Sequence, residues 1–310
     1  MNNLLIKSVF SLYSIRVLDL SLLQRSRINY EKCNDRKVYM LEDDSWERFI
    51  LKLFIDAKKV YNIEKLFSYL YNTNVKSHII FPLLNHNNNY LSKILGKHYL
   101  LFPYYNLDKI GSLNLDDMIN VSFNLHLYLN KLVGDLVQIS NKRLLNKKWL
   151  LLVKIFVFDF VYFTNNINVY FNLQSNNIIH SSLWYWNIFL YKNNIIILDL
   201  DSITKWNILY DIIFILCNIY IFEKDIKTRF NLYNKVLRKY KDYISLDNIE
   251  FIVTYFVFLR ASDINRDNLK DILTDIIVSL KFVWDLNIFL KAKWYDLSLW
   301  KYIKKEYLYF

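Results

Sequence analysis

Residues 178–216 read IIHSSLWYWNIFLYKNNIIILDLDSITKWNILYDIIFIL. The character of this segment changes along its length, and the change decides the architecture. Between Asn187 and Leu200, β-branched and aromatic runs read as a strand pair inside a region that is otherwise helical. Asp199 and Asp201 are two residues apart, so on a strand both side chains leave the same face. The run from Ile208 to Phe222, ILYDIIFILCNIYIF, is apolar except for Asp211 and Asn218. It falls short of the roughly 20 apolar residues that a bilayer span requires, and so predicts a buried core helix. Leu150–Phe163, interrupted by Lys154 and Asp159, is read in the same way.

Toward the N-terminus the pattern is mixed. Lys37–Leu41 (KVYML) and Glu47–Phe54 (ERFILKLF) are bounded by polar turns and read as neighbouring strands. Asp56 then opens a helix with Val60, Ile63, Leu66, Phe67 and Leu70 on one face, ending at Asn72–Asn74. Two further strand-like runs, HIIFPLL and HYLLFPYY, follow, with NHNNN at 85–89 read as a hairpin loop between them. From Leu115 onward helical periodicity dominates, including IEFIVTYFVFLR and LKDILTDIIVSLKFVWDL. The order describes a small sheet with one helix, an extended connector at Phe102–Tyr105, and a mostly helical part with one embedded hairpin.

Composition narrows the class further. The chain has 310 residues, 54% of them hydrophobic and 22% charged, enough apolar content to fold around a sizeable core. Only 3 Gly and 2 Pro are present, which excludes collagen-like and Gly-rich phosphate-loop architectures and leaves turns to Asn, Asp and Ser. The excess of Asn, Ile, Lys, Phe and Tyr over Gly, Ala and Pro resembles translation from an AT-rich genome. The aromatic fraction of 18% is discounted accordingly before any ring is given a binding role. Cys33 and Cys217 have no metal-site spacing. Forty Lys and Arg against 29 Asp and Glu give a net charge of +11, which favours an anionic partner such as a nucleotide or nucleic acid.

The segment quoted above resembles the signature of the aminoglycoside phosphotransferase and choline kinase superfamily. Its catalytic loop runs His-Gly-Asp-Leu-x-x-x-Asn-Ile-Leu, then through a hairpin to Ile-Asp and, a dozen residues later, an aromatic-Asp pair. His180, Leu183, Asn187, Ile188, Asp199, Asp201 and Tyr210-Asp211 fall on that pattern. RFILKLF is similar to the family strand with the phosphate-pairing lysine, giving Lys52. YNIEKLFSYL is similar to the helix bearing its glutamate partner, giving Glu64. The resemblance covers roughly residues 22–270. It implies an α+β, protein kinase-like bilobal fold, with a sheet-plus-helix N-lobe over residues 1–102 and a helical C-lobe over 103–310. It further implies a Lys52–Glu64 ion pair for nucleotide phosphates, Asn187 and Asp199 as magnesium ligands, and ATP as cofactor. Asp211 would accept hydrogen bonds from backbone donors of the His180 loop, because a buried carboxylate must be satisfied.

Two positions depart from the pattern. Ser182 stands where the family has the aspartate that takes the substrate hydroxyl's proton, and a serine hydroxyl is not basic at neutral pH. No glycine occurs before Gly96, so the phosphate-covering turn near LLQRSRINYEK would rely on Arg25, Ser26, Arg27 and Asn29. Both departures count against ATP and Mg. The resemblance with its departures implies a degenerate member, a pseudokinase-like scaffold that binds a protein partner. One alternative is an active ATP-dependent phosphotransferase on a small alcohol such as choline or a sugar, with catalytic positions Ser182, His180 and Asp201. Another is a structural subunit of an organellar assembly such as a ribosome. For the latter the +11 charge or the long apolar helices are the relevant features. The basic segment KTRFNLYNKVLRKYK at 227–241 suits nucleic acid or a membrane surface, although a solvated amphipathic helix face explains it as well. The expected location is the cytoplasm or an organellar matrix; neither secretion nor a membrane partner is expected.

Overall fold

The computed structural model describes residues 2–22, 38–54, 57–132, 177–200, 203–206, 208–243, 281–282, 284–286 and 288–289. These fall in two compact units, one within Met1–Ile139 and Ser182–Thr204, the other within Ser140–Ser181 and Lys205–Phe310. This grouping differs from the lobes 1–102 and 103–310 read from the sequence. The physical reason is local pairing: the embedded hairpin bonds to Asp108–Lys109 and to Ile79, which draws it into the N-terminal unit.

The first unit is built on a five-stranded antiparallel sheet in the order β1-β2-β3-β5-β4, with β1 Val17–Leu22, β2 Val38–Asp43, β3 Arg48–Phe54, β4 Leu91–Ile94 and β5 Lys97–Pro103. The two runs read as neighbouring strands are β2 and β3, paired from Val38↔Lys52 to Glu42↔Arg48. Strand alternation sorts the side chains by face. Phe49, Leu51 and Leu53 point into a core with Leu41, Tyr99 and Leu101. That core is closed by a helix the sequence reading did not anticipate, α1 (Asn2–Tyr13), through Leu5 and Val9. Lys52, one residue out of phase, lies on the opposite face with Ile50. The helix expected after Asp56 is α2 (Ala57–Leu70), and its buried Phe67 meets Phe102 of β5 edge-on, 6.1 Å between ring centroids.

HIIFPLL does not form the expected strand. A 3-10 turn over Asn74–His78 leads to a single bridge between Ile79 and Ile197, and Leu83 N–H then reaches Leu101 O at 2.7 Å. Pro82, which has no N–H, interrupts any longer ladder. The NHNNN stretch is a loop closed on Asn85, whose side-chain oxygen accepts N–H groups of Asn87 and Asn89 at 2.9 and 3.2 Å. Beyond the sheet, β6 (Asp108–Lys109) leads to α3 (Leu115–Lys131), which has Asp116 and Asp117 in its first turn, where acids offset the helix dipole.

In the second unit, β7 (Asn177–Ile179) runs into His180. The predicted core helix is α4 (Leu209–Phe222), and every residue from Leu209 to Ile219 is buried. No helix among the described residues is long and apolar enough to cross a membrane; Leu150–Phe163 lies outside the described residues, as does IEFIVTYFVFLR. The basic segment forms α5 (Ile226–Lys239), capped by Asp225, whose side chain accepts Thr228 N–H at 2.8 Å. Its rings are core rather than surface, since Phe230, Tyr233 and Tyr240 are all buried. Arg229 of the same helix is buried too, and its guanidinium forks onto Asp285, which also accepts the Tyr233 hydroxyl at 3.0 Å. Burial, and then the neighbouring Asp285 carboxylate, push the Tyr233 hydroxyl far above its ordinary pKa, so it remains a donor.

Removing Asp285 as Asp285→Ala leaves the Arg229 charge buried without its carboxylate and should cost about 3–5 kcal/mol in urea unfolding. A change under 1 kcal/mol would mean that this contact does not anchor the second unit. The β4–β5 hairpin offers the opposite test. It turns through Leu95 and Gly96 with φ +50° and +76°, a conformation that asparagine adopts more readily than leucine. Leu95 is exposed, so Leu95→Asn should raise stability by about 0.5–1 kcal/mol, read as a higher urea midpoint.

Candidate functional site

The loop 182–187 is tied together by one amide. Asn187 closes a 3-10 turn over Tyr185–Asn187, with its own N–H on Trp184 O at 2.8 Å. Its Nδ2 donates to both the carbonyl and the hydroxyl oxygen of Ser182, each at 2.8 Å. A carbonyl oxygen only accepts, so the atom facing it must be the amide nitrogen, and Oδ1 points the other way. The Asn187 carbonyl in turn accepts Leu198 N–H at 2.8 Å. The segment between is the expected hairpin, β8 (Ile188–Tyr191) and β9 (Asn194–Ile197), in register from Ile188↔Ile197 to Tyr191↔Asn194. Its two turn residues, Lys192 and Asn193, both have positive φ, the geometry that matches the twist of the flanking strands. The Asn187 side chain thus ties Ser182 to Asn187, and backbone pairing along the hairpin carries the chain on toward Asp199.

Asp199 follows β9 at φ +66°, a region that aspartate tolerates better than most residues. Its Oδ1 receives Lys52 Nζ at 2.5 Å, with the two side chains only 17% and 14% exposed. This corrects the expected Lys52–Glu64 pair. Glu64 is committed to the backbone, its Oε1 accepting Tyr90 N–H at 2.8 Å and its Oε2 accepting Leu91 N–H at 2.7 Å. Both oxygens of Glu64 thus hold charge-assisted bonds at the start of β4, which β5 separates from the strand of Lys52. Nothing in the spacing of the sequence distinguishes the two acids as partners of Lys52, because the chosen one is 147 residues away.

A hard divalent cation suits one carboxylate and one amide oxygen together with phosphate oxygens, so the Asp199 carboxylate and Asn187 Oδ1 fit it by donor chemistry. Among the described residues no group of three or more His, Cys, Asp or Glu is gathered to hold a metal by protein ligands alone. Asp201 and the turn with Arg25, Ser26, Arg27 and Asn29 lie outside the described residues.

His180 belongs to the second unit and is fully buried, with its N–H on Asp211 Oδ2 at 2.6 Å. Asp211, also fully buried in the first turn of α4, therefore meets the loop backbone as its position in an apolar run predicted. The sequence reading places His180 among the catalytic positions; in the structure its side chain has no solvent access. Next to it Ser181 holds φ +62° at the place of the motif's glycine. Trp186 stacks on buried Trp184, 4.9 Å between centroids, and is itself 44% exposed.

No family model matches the chain, and no curated protein matches it in sequence. Solved structures do. A spectinomycin phosphotransferase in complex with ADP and spectinomycin is similar over 92% of this chain and 97% of its own, with 13% identity and a TM-score of 0.58. An amicoumacin kinase in complex with AMP-PNP and Ca2+ is similar over 91% and 92%, with 12% identity and a TM-score of 0.62. An aminoglycoside phosphotransferase from Alicyclobacillus acidocaldarius gives 88% and 92%, 10% identity and 0.52. The chain has the protein kinase-like α+β fold of the aminoglycoside phosphotransferases.

Proposed function

We propose that the chain is a pseudokinase-like protein, a nucleotide-binding scaffold of the phosphotransferase fold that engages a protein partner and has lost efficient phosphoryl transfer. The observation that carries this reading is the bonding at Ser182. The loop is assembled around Asn187, yet the side chain that Asn187 holds is a hydroxyl and not a carboxylate. A hydroxyl neither takes a proton from an acceptor alcohol at neutral pH nor balances developing positive charge, and loss of such a base lowers rates by about 10²- to 10⁴-fold.

Nucleotide binding is supported by Lys52, Asn187 and Asp199, all in the first unit, and by neighbours solved with ADP and AMP-PNP. Lys52 would meet phosphate oxygens as a point charge. Asp199 and Asn187 would hold magnesium, which when bound neutralises phosphate charge. The retention of these three residues also favours a second reading, an active phosphotransferase on a small alcohol.

Calorimetry with magnesium-ATP, together with product assays on candidate alcohols, separates the two. The pseudokinase reading expects binding by the wild type, turnover no faster than that of Asp199→Ala, and a gain of at least tenfold in Ser182→Asp. Wild-type turnover that Asp199→Ala abolishes would establish the enzyme instead. Glu64 is expected to act on stability. Glu64→Ala strands the N–H donors of Tyr90 and Leu91 and should lower unfolding free energy by about 1–3 kcal/mol in a urea titration.

A further inference from the structure

Helix α5 differs completely between its two sides. Arg229, Phe230, Tyr233, Val236 and Leu237 are buried. Helical spacing puts Lys227, Asn231, Asn234, Lys235, Arg238 and Lys239 on the other side, where Lys227, Asn231 and Arg238 are exposed and the rest half-buried. No acid occurs within the helix, and Asp225 and Asp242, the nearest in sequence, lie beyond its two ends. A helix that only meets water is better served by another pattern. Acids four residues from its lysines would add support, and an acid would suit the first turn, where the dipole is positive. Here Lys227 stands in the first turn, and Lys235 lies one turn from both Arg238 and Lys239, so like charges are neighbours. The dipole accounts for Arg238 and Lys239 in the last turn and not for Lys227 and Lys235.

We propose that this face of α5 is a docking surface for double-stranded RNA, bound through its phosphates and 2′-hydroxyls without regard to sequence. The four cations set the sign of the partner. Exposed ion pairs are individually weak, so a polyanion can replace those that these side chains make. What the face does not present sets the class of polyanion. Phe230, Tyr233 and Tyr240 are buried, so they offer no ring to stack an unpaired base and no apolar flank to sink into a lipid surface. At about 1.5 Å per residue, Lys227 and Arg238 lie about 16 Å apart along the axis, with Asn231 and Asn234 between them. Cations at the ends with amides between them suit the wide, shallow minor groove of an A-form duplex, where 2′-hydroxyls both donate and accept. A DNA duplex has no such hydroxyl to meet the amides. The helix belongs to the second unit, and this reading does not depend on the nucleotide site in the first.

The test titrates the full chain, by fluorescence anisotropy, into a labelled RNA duplex of about 20 base pairs and into a DNA duplex of the same sequence. Wild type should bind the RNA more tightly, with log affinity falling against log salt at a slope of about −3 to −4, near one unit per cation engaged. The triple variant Lys227→Gln, Lys235→Gln, Arg238→Gln keeps helix propensity and should lose at least about tenfold in affinity, with the slope flattened by about 3. A second triple variant, Lys7→Gln, Lys93→Gln, Lys97→Gln, removes the same charge from exposed positions of the first unit and should leave the slope unchanged. Asn231→Ala with Asn234→Ala should bring the RNA and DNA affinities together. Melting temperatures establish that each variant is folded; if the α5 triple variant is not, Lys227→Gln and Arg238→Gln singly should each flatten the slope by about 1. No RNA binding by wild type at about 50 mM salt overturns the proposal, as do equal losses in the two triple variants. Equal wild-type affinity for the DNA duplex overturns the assignment to RNA. Binding to phosphatidylserine vesicles that the α5 substitutions abolish and RNA cannot compete away would overturn it in favour of a lipid surface.

Discussion

A largely buried lysine ammonium on the sheet face opposite the core needs an anion, and for Lys52 that anion is Asp199. Strand alternation turns it away from the core of Phe49, Leu51 and Leu53. The hairpin after Asn187 returns the chain so that Asp199 arrives at its charge. The contact links residues 147 apart, which makes the sheet and the hairpin one piece of structure. The grouping of residues 182–204 with the N-terminal unit follows from the pairing of the hairpin with Asp108–Lys109 and Ile79.

Scarcity of glycine shapes the rest. With 3 glycines in the chain, left-handed backbone among the described residues is occupied, besides Gly96, by Ser14, Trp46, Asn88, Leu95, Ser181, Lys192, Asn193 and Asp199. Asparagine and aspartate bear this at little cost, whereas the others each give up roughly 1–2 kcal/mol. Neighbouring side chains offset the cost in places. In the β2–β3 turn, Asp43 Oδ1 accepts the N–H groups of Ser45 and Glu47 at 3.0 and 2.8 Å, holding Trp46 between them at φ +65°. At Ser181 the conformation is kept where the motif has glycine.

The same loop separates architecture from chemistry. Asn187 bonds Ser182 through both carbonyl and hydroxyl, and Asp211 bonds the His180 N–H, so the backbone is held from either side. None of these bonds needs a carboxylate at position 182. The bonds that shape this segment run from the side chains of Asn187 and Asp211, and they form with a hydroxyl at position 182. A proton acceptor contributes to a reaction and little to this folding.

Much of this was legible in the sequence, and the reason is range. β2, β3, α2, α3, the β8–β9 hairpin and α4 each follow from periodicity within a few residues of chain. The role of Asp211 follows too, because an acid in an apolar helix must find donors. The order of Lys52, Glu64, His180, Asn187 and Asp199 sufficed to suggest the fold. The choice between Glu64 and Asp199 as the lysine's partner did not follow. Both are acids at suitable positions, and only the placement of the Tyr90 and Leu91 amides commits Glu64 elsewhere. Similarly, HIIFPLL has the composition of a strand but finds no continuous edge to pair with. The N-terminal helix is defined by the sheet face it covers rather than by its own pattern. Local periodicity is a property of the chain; which donor meets which acceptor across a hundred residues is settled only when burial forces each charge and each N–H to find a partner.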